Sequence, residues 1–260
     1  MVDAKPDARL AFILGFARSG TTLLGQILSA SPEVVLLEER EVLSGTMGRF
    51  VQTPDGLARL AATPATGMAF HRETYWRKAG AAAEGDVAGK LVIDQTALNT
   101  VMLPVIGLLF PDAPVLFAIR DPRDVVLSCF RRRFDPTPFT LEFHSLESTA
   151  RVYDLTMRLA EECRSRMGHR LIDVRYESVV TDFDRTIEGL CERLGIAWSG
   201  AMRDFHRASA GSMLITASAA QVRRGLNSDS AGVWRRYREQ MAPVLPLLAP
   251  WVERFGYPAD

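Results

Sequence analysis

The sequence has few of the features that mark disulfide-rich, metal-binding or membrane-spanning proteins. Its three cysteines, Cys129, Cys163 and Cys191, are odd in number and widely spaced, so they suit neither a disulfide framework nor a zinc site. We expect them to be buried, and because the four histidines show no ligand spacing we expect no metal. The longest apolar run, Val101–Phe110, contains Pro104 and is too short to span a bilayer.

An excess of charge of either sign is also missing. The 260 residues include 31 basic and 31 acidic side chains, so the formal net charge is zero. This balance argues against nucleic-acid binding over the whole surface, although it leaves room for one local anion site. The first residues lack the apolar stretch of a signal peptide. Together these features predict a cytoplasmic protein without a membrane span, in which residues 1–8 are frayed.

Short apolar runs alternate with helix-like periodicity along the chain. The length suits one α/β domain, and we take residues 1–260 as that domain. The predicted strands are Leu10–Gly15, Val34–Leu37, Leu91–Asp94, Val115–Ile119 and Leu171–Tyr176. One predicted helix begins near Thr21. Three others cover Leu98–Phe110, Val125–Arg132 and Phe183–Leu194. This order predicts a P-loop-like, three-layer α/β fold with a central parallel sheet and helices on both faces.

Two segments do not follow this alternation. Residues 53–90 are rich in Ala, Gly and Thr, and residues 207–232 are small and polar with weak periodicity. Long irregular segments of a compact domain are typically functional loops or disordered, and we expect one or the other in both places. Within the first segment, Tyr75–Lys78 suits either an acidic acceptor or an ordinary amphipathic helix, and we favour the helix.

The stretch GFARSGTT, residues 15–22, has the spacing of a phosphate-binding loop between a strand and a helix. The backbone N–H groups of such a turn and the positive end of the helix dipole hold a phosphate oxyanion. Thr21 stands where an ATP-binding loop carries lysine, and Arg18 supplies a cation inside the turn. The loop therefore predicts an anion site that does not hold magnesium triphosphate. A plain structural turn is the alternative interpretation.

A second anion-binding pattern lies in IRDPRDVVLSCFRRRF, residues 119–134. Arg120 directly follows a predicted strand, and Asp121-Pro122 is a strong helix start. Arg120 and Ser128 are spaced to share one phosphate, with a later arginine closing the clamp. Taken alone, the stretch equally suits a basic helix with a solvated face.

These motifs, in this order, resemble those of sulfotransferases that use 3′-phosphoadenosine 5′-phosphosulfate (PAPS). RSGTT resembles the family's 5′-phosphosulfate loop, RDPRDVVLS its 3′-phosphate motif, and VRYESVV its strand with a tyrosine–glutamate pair near the adenine. TASAAQVRRGLN and the later WRRY are similar to its C-terminal cofactor loop and closing helix. The resemblance runs from about residue 10 to 257. It is nearest to the branch of tyrosylprotein sulfotransferases and bacterial sulfotransferases associated with tetratricopeptide repeats.

The resemblance implies a role for each matching residue. It places Arg18 and the loop on the leaving phosphosulfate, and Arg120 with Ser128 on the 3′-phosphate. The residues that it assigns to PAPS binding are Arg18, Ser19, Gly20, Thr21, Thr22, Arg120, Ser128, Tyr176, Ser218, Arg223 and Arg224. PAPS is thus the implied co-substrate. The implied acceptor is a hydroxyl of a small molecule, a sugar or a peptide tyrosine.

The segments LLEERE and VIDQTALN, residues 36–41 and 92–99, contain the implied catalytic groups. In the resembling branch the second residue of a double glutamate is the general base, which corresponds to Glu39. The family's next strand ends in a pattern close to D-K-x-P-x-N, whose lysine contacts the oxygen between phosphate and sulfonate. This chain has Gln95 at the lysine position and Ala97 at the proline position.

The missing lysine leaves three explanations. Arg18 carries the charge with Gln95 assisting, which we favour, or Lys90 or Lys78 reaches the site, or the protein binds the nucleotide and transfers slowly or not at all. A small-molecule kinase with a degenerate loop is a further alternative. The absence of the loop lysine opposes it, and Asp94 is only a weak candidate for its magnesium-binding carboxylate. Whether the chain forms a homodimer stays open.

Overall fold

The computed structural model describes residues 7–83, 85–208 and 230–259. Its strands are β1 Arg9–Gly15, β2 Val34–Glu38, β3 Leu91–Gln95, β4 Val115–Ile119 and β5 Leu171–Arg175. They form one sheet in the order β2-β3-β1-β4-β5, and every neighbouring pair is parallel. The predicted central parallel sheet is confirmed, and the carboxyl ends of all five strands lie at one edge.

Helices cover both faces of this sheet. They are α1 Thr21–Ser29, α2 Ser44–Phe50, α3 Gly56–Ala61, α4 Ala65–Ala82, α5 Leu103–Leu109, α6 Pro122–Phe130, α7 Leu146–Met167, α8 Tyr176–Thr181, α9 Phe183–Leu194, α10 Phe205–Ala208, α11 Arg238–Met241 and α12 Leu245–Arg254. Short 3₁₀ turns lie at Ala97–Met102, Thr140–His144, Gly168–Arg170, Gly200–Met202 and Val233–Tyr237. Within the described ranges, none of these helices combines the length and the apolar composition that crossing a membrane requires.

The three layers follow from the alternation of side chains along each strand. Phe12 and Leu14 of β1 belong to one buried cluster, which also contains apolar residues of α5, α6, α7 and α12. Ala11 and Ile13 belong to a second cluster, which contains apolar residues of α1 and α9. Successive residues of a strand point to opposite faces, so one apolar run supplies both cores.

The prediction of a loop or disorder over residues 53–90 is wrong, because α3 and the 18-residue helix α4 occupy most of it. Alanine is the strongest helix former, but it adds little to an apolar stripe. The buried residues of α4 are Tyr75, Trp76 and Ala79, too few to reveal a helical period. Tyr75 and Trp76 pack in the first core cluster, which confirms the helical interpretation of Tyr75–Lys78.

Several predicted boundaries differ from the structure, and the helix predicted over Val125–Arg132 covers Pro122–Phe130. The predicted helix over Leu98–Phe110 is a 3₁₀ turn followed by α5, with Pro104 in the first turn of α5, where its missing N–H leaves no bond unmade. Tyr176 begins α8 and does not end the fifth strand.

The described chain begins and ends with ordered contacts. The Asp7 carbonyl accepts a hydrogen bond from the Gly89 N–H at 2.5 Å, while residues 1–6 lie outside the described ranges. The proline-rich C-terminal stretch is interrupted, since α11 ends before Pro243, and α12 contains Pro250. All three cysteines are buried and free, as predicted.

Candidate active site

The predicted site residues lie at the carboxyl edge of the sheet, with one group after each strand. Glu39 follows β2, Gln95 ends β3, the phosphate loop (residues 16–20) follows β1, Arg120 follows β4 and Tyr176 follows β5. In the order of the sheet, the glutamate lies at one end, the loop in the middle and the arginine beyond it. Neighbouring strands are about 4.8 Å apart, so Glu39 and Arg120 extend from strands roughly 14 Å apart.

Gly15, the last residue of β1 before the phosphate loop, is held by Thr100 through both its N–H and its carbonyl group. The Gly15 N–H donates to Thr100 Oγ1 at 2.9 Å, and the same hydroxyl donates to the Gly15 carbonyl at 2.6 Å. A Cβ atom at Gly15 would lie 2.7 Å from the Ala118 carbonyl oxygen, so only glycine fits where β1 passes β4. Gly20, with φ 101°, then leads into α1, whose first N–H groups face the loop.

Arg18 lies inside this loop with its own backbone in the left-handed region, at φ 70°. Its Nε donates to Ser128 Oγ at 3.1 Å, and the residue is only 5% exposed. Desolvation lowers the pKa of Arg18 to about 10, and repulsion from Arg120 contributes, yet the guanidinium stays charged at neutral pH. The structure thus brings Arg18 and Ser128, assigned by resemblance to two different phosphates, into direct contact.

Arg120 connects the loop to the far side of the site. Its Nη1 donates to the Arg18 carbonyl at 3.0 Å and its Nη2 to the Ser230 carbonyl at 2.5 Å. The guanidinium lies 4.9 Å from the centroid of the Tyr176 ring. Its Nε is buried and has no hydrogen-bond partner among the described residues. A buried cationic N–H without an acceptor costs free energy, and an anionic ligand would supply that acceptor.

Asp121 caps α6 and holds the side chain of Arg123, two residues further along the chain. Its Oδ1 accepts from the Arg123 backbone N–H at 3.0 Å and from Arg123 Nε at 2.9 Å, and its Oδ2 accepts from Nη2 at 2.8 Å. Arg123 also donates to the carbonyls of residues 258–259. Glu177 accepts from the Asp121 N–H through one oxygen and from the Tyr257 hydroxyl through the other. The predicted cap is confirmed, and residues 257–259 brace it.

Asp124 joins α6 to the segment that the structure describes again from residue 230. Its carboxylate accepts from the Gly232 N–H at 2.6 Å and from the Trp234 N–H at 2.9 Å. The Trp234 ring in turn lies 3.9 Å from the Arg123 guanidinium. The RDPRD motif therefore holds its own helix start and the chain that follows residue 229.

Glu39 shares the unusual backbone of Arg18. Within the described ranges these are the only non-glycine residues with positive φ, and Glu39 has φ 48°. Such conformations persist where the surroundings enforce them, and they cluster at functional sites. The Glu39 N–H donates to the Gln95 carbonyl at 2.8 Å, and Gln95 Nε2 donates to Glu39 Oε1 at 3.1 Å. The Ala97 backbone N–H also acts on this carboxylate and favours its ionised form, which lowers its pKa.

Burial raises the pKa of the carboxyl groups at this end of the edge. Although Glu39 as a residue is exposed, protein atoms surround its carboxyl group, and this desolvation raises its pKa to about 7. The charge of Glu38 adds to the shift, and the donors Gln95 and Ala97 oppose it. Desolvation also raises the pKa of Glu38, whose Oε2 accepts from Gln26 Nε2 at 3.0 Å. A group with a pKa near 7 suits general acid–base chemistry at neutral pH.

Asp94, the candidate magnesium-binding carboxylate of the kinase alternative, faces the core. It is fully buried, and the Tyr75 hydroxyl donates to its Oδ2 at 3.1 Å. Desolvation raises the pKa of Asp94 to about 7. Magnesium favours ionised carboxylates that share its coordination shell with water, which this environment does not offer. Across the described residues, no group of three or more His, Cys, Asp or Glu side chains is placed to hold a metal ion.

Of the two lysines considered as substitutes for the family's lysine, one bonds another side chain and one lies at the far edge of the sheet. Lys78 Nζ donates to Ser44 Oγ at 3.2 Å. Lys90 precedes β3 and so lies at the opposite edge of the sheet from Glu39, which excludes it as the substitute lysine. Three residues assigned to PAPS by resemblance lie outside the described ranges, namely Ser218, Arg223 and Arg224.

Three residues that hold the site together were not predicted as site residues from the sequence. Asp124 had a signal, since it is the second acid of the Arg-Asp repeat in RDPRD. Glu177 had one too, because it belongs to the tyrosine–glutamate pair of VRYESVV. Thr100 had none, because a threonine near an apolar run does not disclose a hydroxyl that bonds Gly15.

A cavity of about 1160 Å³ opens at the opposite edge of the sheet. Its lining includes Arg9, Leu91 and Ala113, which begin or precede strands. None of the predicted site residues that the structure describes lines it. The carboxyl edge, with its buried arginines and its titrating glutamate, is therefore the candidate site on chemical grounds.

The sulfotransferase family has a model that matches residues 11–200 of this chain. An uncharacterized protein of Aquifex aeolicus is 25% identical over 94% of this chain and 32% of its own length. Protein-tyrosine sulfotransferase A of Caenorhabditis elegans is 26% identical over 95% of this chain and 66% of its own length. The chain thus spans from 32% to 66% of the length of these two relatives.

Solved structures show the same fold. The sulfotransferase domain of the Synechococcus PCC 7002 olefin synthase is similar with a TM-score of 0.66 and 21% identity, covering 98% of this chain and 97% of that domain. Mouse sulfotransferase SULT7A1, solved in complex with PAP, has a TM-score of 0.52 and 17% identity, covering 94% of this chain and 84% of its own.

Proposed function

We propose that this chain, which belongs to the sulfotransferase family, transfers the sulfonate group of PAPS to a hydroxyl acceptor. One observation carries the proposal. The two described non-glycine residues with a left-handed backbone, Arg18 and Glu39, are the cation and the carboxylate that this reaction needs. They follow β1 and β2 at the same edge of the sheet.

The cationic side of the site fits a nucleotide phosphorylated at both its 5′ and 3′ positions. Arg18 and Arg120 are two buried cations, and Arg120 Nε is a buried donor that lacks a partner among the described residues. The N-terminus of α1 adds backbone N–H groups beside Arg18. The Tyr176 ring packs against Gly20 and beside Arg120, which supports its proposed place near the adenine.

The two halves of the site divide the chemistry. PAPS, when bound, supplies a sulfonate that is already activated. Glu39 takes the proton of the acceptor hydroxyl at its carboxylate, and a pKa of about 7 leaves about half of the enzyme in the basic form at pH 7. Arg18 is charged at that pH and stabilises the negative charge on the leaving phosphate. Gln95 brings no charge, so Arg18 and the loop N–H groups carry this stabilisation.

Nucleotide binding is tested first, by thermal melts with adenosine 3′,5′-bisphosphate, ADP and magnesium ATP. At about a hundred times its dissociation constant the correct ligand stabilises the fold by roughly 2.7 kcal/mol, a shift of several degrees. We expect this shift with the bisphosphate alone. A shift with magnesium ATP instead would favour the kinase alternative.

Transfer is tested with PAPS carrying labelled sulfate and a panel of phenols, sugars and tyrosine peptides. We expect the label to move to at least one hydroxyl acceptor and Glu39→Gln to stop it. Binding of the bisphosphate with no transfer to any acceptor would favour a non-catalytic nucleotide-binding protein, the alternative raised by Gln95.

The state of the cysteines bears on the cellular compartment in which this activity takes place. All three are free and buried, a pattern typical of a reducing compartment. We therefore place the reaction in the cytoplasm. Compartment-targeted redox labelling of the cysteines in cells tests it, and an oxidised state of the native protein would contradict it.

A further inference from the structure

Two departures from the family pattern lie beside Glu39. Gln95 and Ala97 stand where the resembling family has lysine and proline. The first change replaces an ammonium group by a neutral amide donor. The second replaces a residue without a backbone N–H by one that has it. In this structure the Gln95 amide donates to Glu39 Oε1 at 3.1 Å, and the Ala97 backbone N–H lowers the pKa of the same carboxyl group.

Gln95 holds Glu39 at two points. Its carbonyl accepts the Glu39 N–H at 2.8 Å, and its side-chain amide donates to Glu39 Oε1 at 3.1 Å. Gln95 is 0% exposed, so its side chain is confined to this position. The orientation of the amide follows from charge, because the reversed amide would set its oxygen against the oxygen of an ionised carboxylate.

Ala97 lies at a position that would also accept proline. It is the first residue of the 3₁₀ turn Ala97–Met102, and proline suits the first position of a helix. Thr96 before it has φ −142° and ψ 106°, the extended conformation that precedes proline. Backbone geometry therefore does not require alanine here, and what alanine adds is the N–H directed at Glu39.

We propose that Gln95 and Ala97 are positioning residues, a clamp of two neutral donors that holds the Glu39 carboxylate ready to take the acceptor proton. The inference rests on the proposed function, in which Glu39 is the general base. It assigns Gln95 to the base and not to the leaving group, where the family's lysine acts. It also gives the alanine at position 97 a role of its own.

The charges around Glu39 explain why neutral donors matter. The titratable groups that interact with Glu39 are acidic. The charge of Glu38 raises the pKa of Glu39, and the charge of Glu39 raises that of Asp94 on β3. The nearby Arg40 lowers the pKa of Glu38. A lysine at position 95 would add a positive charge within hydrogen-bonding distance and lower the pKa of Glu39. An amide and a backbone N–H orient the carboxylate with a smaller effect, so the base keeps a pKa of about 7.

The test is the pKa of Glu39 in the whole protein without nucleotide, followed by NMR of the side-chain carboxyl carbon and assigned with Glu39→Gln. Gln95→Met removes the amide donor, and Ala97→Pro removes the N–H. Each is expected to raise the pKa of Glu39 by about one unit, because a hydrogen bond to the ionised form is lost. Gln95→Lys is expected to lower it below that of the unmodified protein.

Two matched controls separate the clamp from general disturbance. Gln26→Met removes the same kind of donor from Glu38, and Ala97→Ser keeps the backbone N–H. Neither is expected to raise the pKa of Glu39. Because proline suits position 97, Ala97→Pro gives an answer even where Gln95→Met does not fold.

The clamp is overturned when the folded variants among Gln95→Met and Ala97→Pro leave the pKa of Glu39 unchanged. With an acceptor in hand, the acid limb of kcat/KM moves to higher pH in the same variants, while KM for PAPS stays the same. Shifted pKa values without any sulfonate transfer would contradict the proposed function and keep the clamp. Transfer without the shifts would contradict the clamp alone.

Discussion

The two ends of the carboxyl edge respond differently to burial. At the phosphate loop, desolvation lowers the pKa of Arg18 to about 10, and at the end of β2 it raises the pKa of Glu39 to about 7. The first shift leaves the arginine charged at every physiological pH, whereas the second places the glutamate in the middle of that range. One half of the site therefore has a fixed charge, and the other half titrates.

The charged groups of the two halves share one property, which is that their hydrogen-bond partners are neutral. Arg120 donates to the carbonyls of Arg18 and Ser230, which are neutral acceptors. Glu39 accepts from the Gln95 amide and the Ala97 N–H, which are neutral donors. In each of these contacts the charged group is held by a dipole and is not cancelled by an opposite charge. The comparison teaches that both halves are oriented while their charge stays available to a substrate.

The largest expected effect comes from removing the titrating charge. Glu39→Gln should lower turnover by about 10²- to 10⁴-fold, the usual contribution of a general base. Affinity for adenosine 3′,5′-bisphosphate, measured by calorimetry, should not change, because the nucleotide contacts lie at the other end. The matched control is Glu38→Gln, whose side chain bonds Gln26. If Glu38→Gln lowered turnover as much as Glu39→Gln does, the assignment of Glu39 as the general base would be contradicted.

The next effect comes from removing the fixed charge. Arg120→Met should weaken bisphosphate binding by about 10- to 100-fold, because a hydrogen-bonded ionic contact is lost. Calorimetry measures it, with Arg131→Met as the control. The Arg131 guanidinium is exposed and lies 4.7 Å from the Tyr237 ring centroid. Equal losses in the two variants would mean that the whole basic surface, and not Arg120, holds the nucleotide.

The pH dependence of the two halves should differ. A base with a pKa of about 7 is ionised in a small fraction at pH 6 and almost fully at pH 8, so kcat/KM should rise about tenfold over this interval. The residual rate of Glu39→Gln should lack this rise. Phosphate ionisation of the nucleotide is common to both proteins, so the difference between their profiles isolates Glu39. Identical profiles would place the titrating group elsewhere.

The smallest effect concerns stability and reaches beneath the site. The pKa of Asp94 is raised in the folded state, so between about pH 4 and pH 7 the folded protein binds more protons at this residue than the unfolded chain does. This contribution to the free energy of unfolding is therefore full at low pH and is lost as pH rises to about 7. Asp94→Asn should stabilise the protein at pH 8 by on the order of 2 kcal/mol, and less at pH 5. Denaturant titrations at the two values measure it, and an equal change at both would refute it.

Signals that are local in the chain predicted their structures well. Asp121 before Pro122 predicted the start of α6, and Gly195, at φ 61°, ends α9 as expected of a left-handed helix terminus. Both depend on residues within one turn of each other, so the sequence contains all that determines them. Apolar runs likewise predicted all five strands to within a residue or two at their ends.

Contacts between distant residues could not be predicted. Nothing in the sequence shows that Arg18 donates to Ser128, 110 residues away, or that Gln95 donates to Glu39. The left-handed backbone of Glu39 was hidden for the same reason, since it is enforced by the end of β3 and not by its own neighbours. The roles assigned to Ser218, Arg223 and Arg224 remain predictions.

The two donors that hold Glu39 have a consequence for the gene. Glutamine codons differ from lysine codons in the first base, and alanine codons differ from proline codons in the first base. A single point mutation at codon 95 would set a charged donor beside the neutral Ala97 N–H, whereas one at codon 97 would leave the Gln95 amide as the remaining donor. Because both donors act on the same carboxylate, the effect of either mutation on the pKa of Glu39 should depend on whether the other is present.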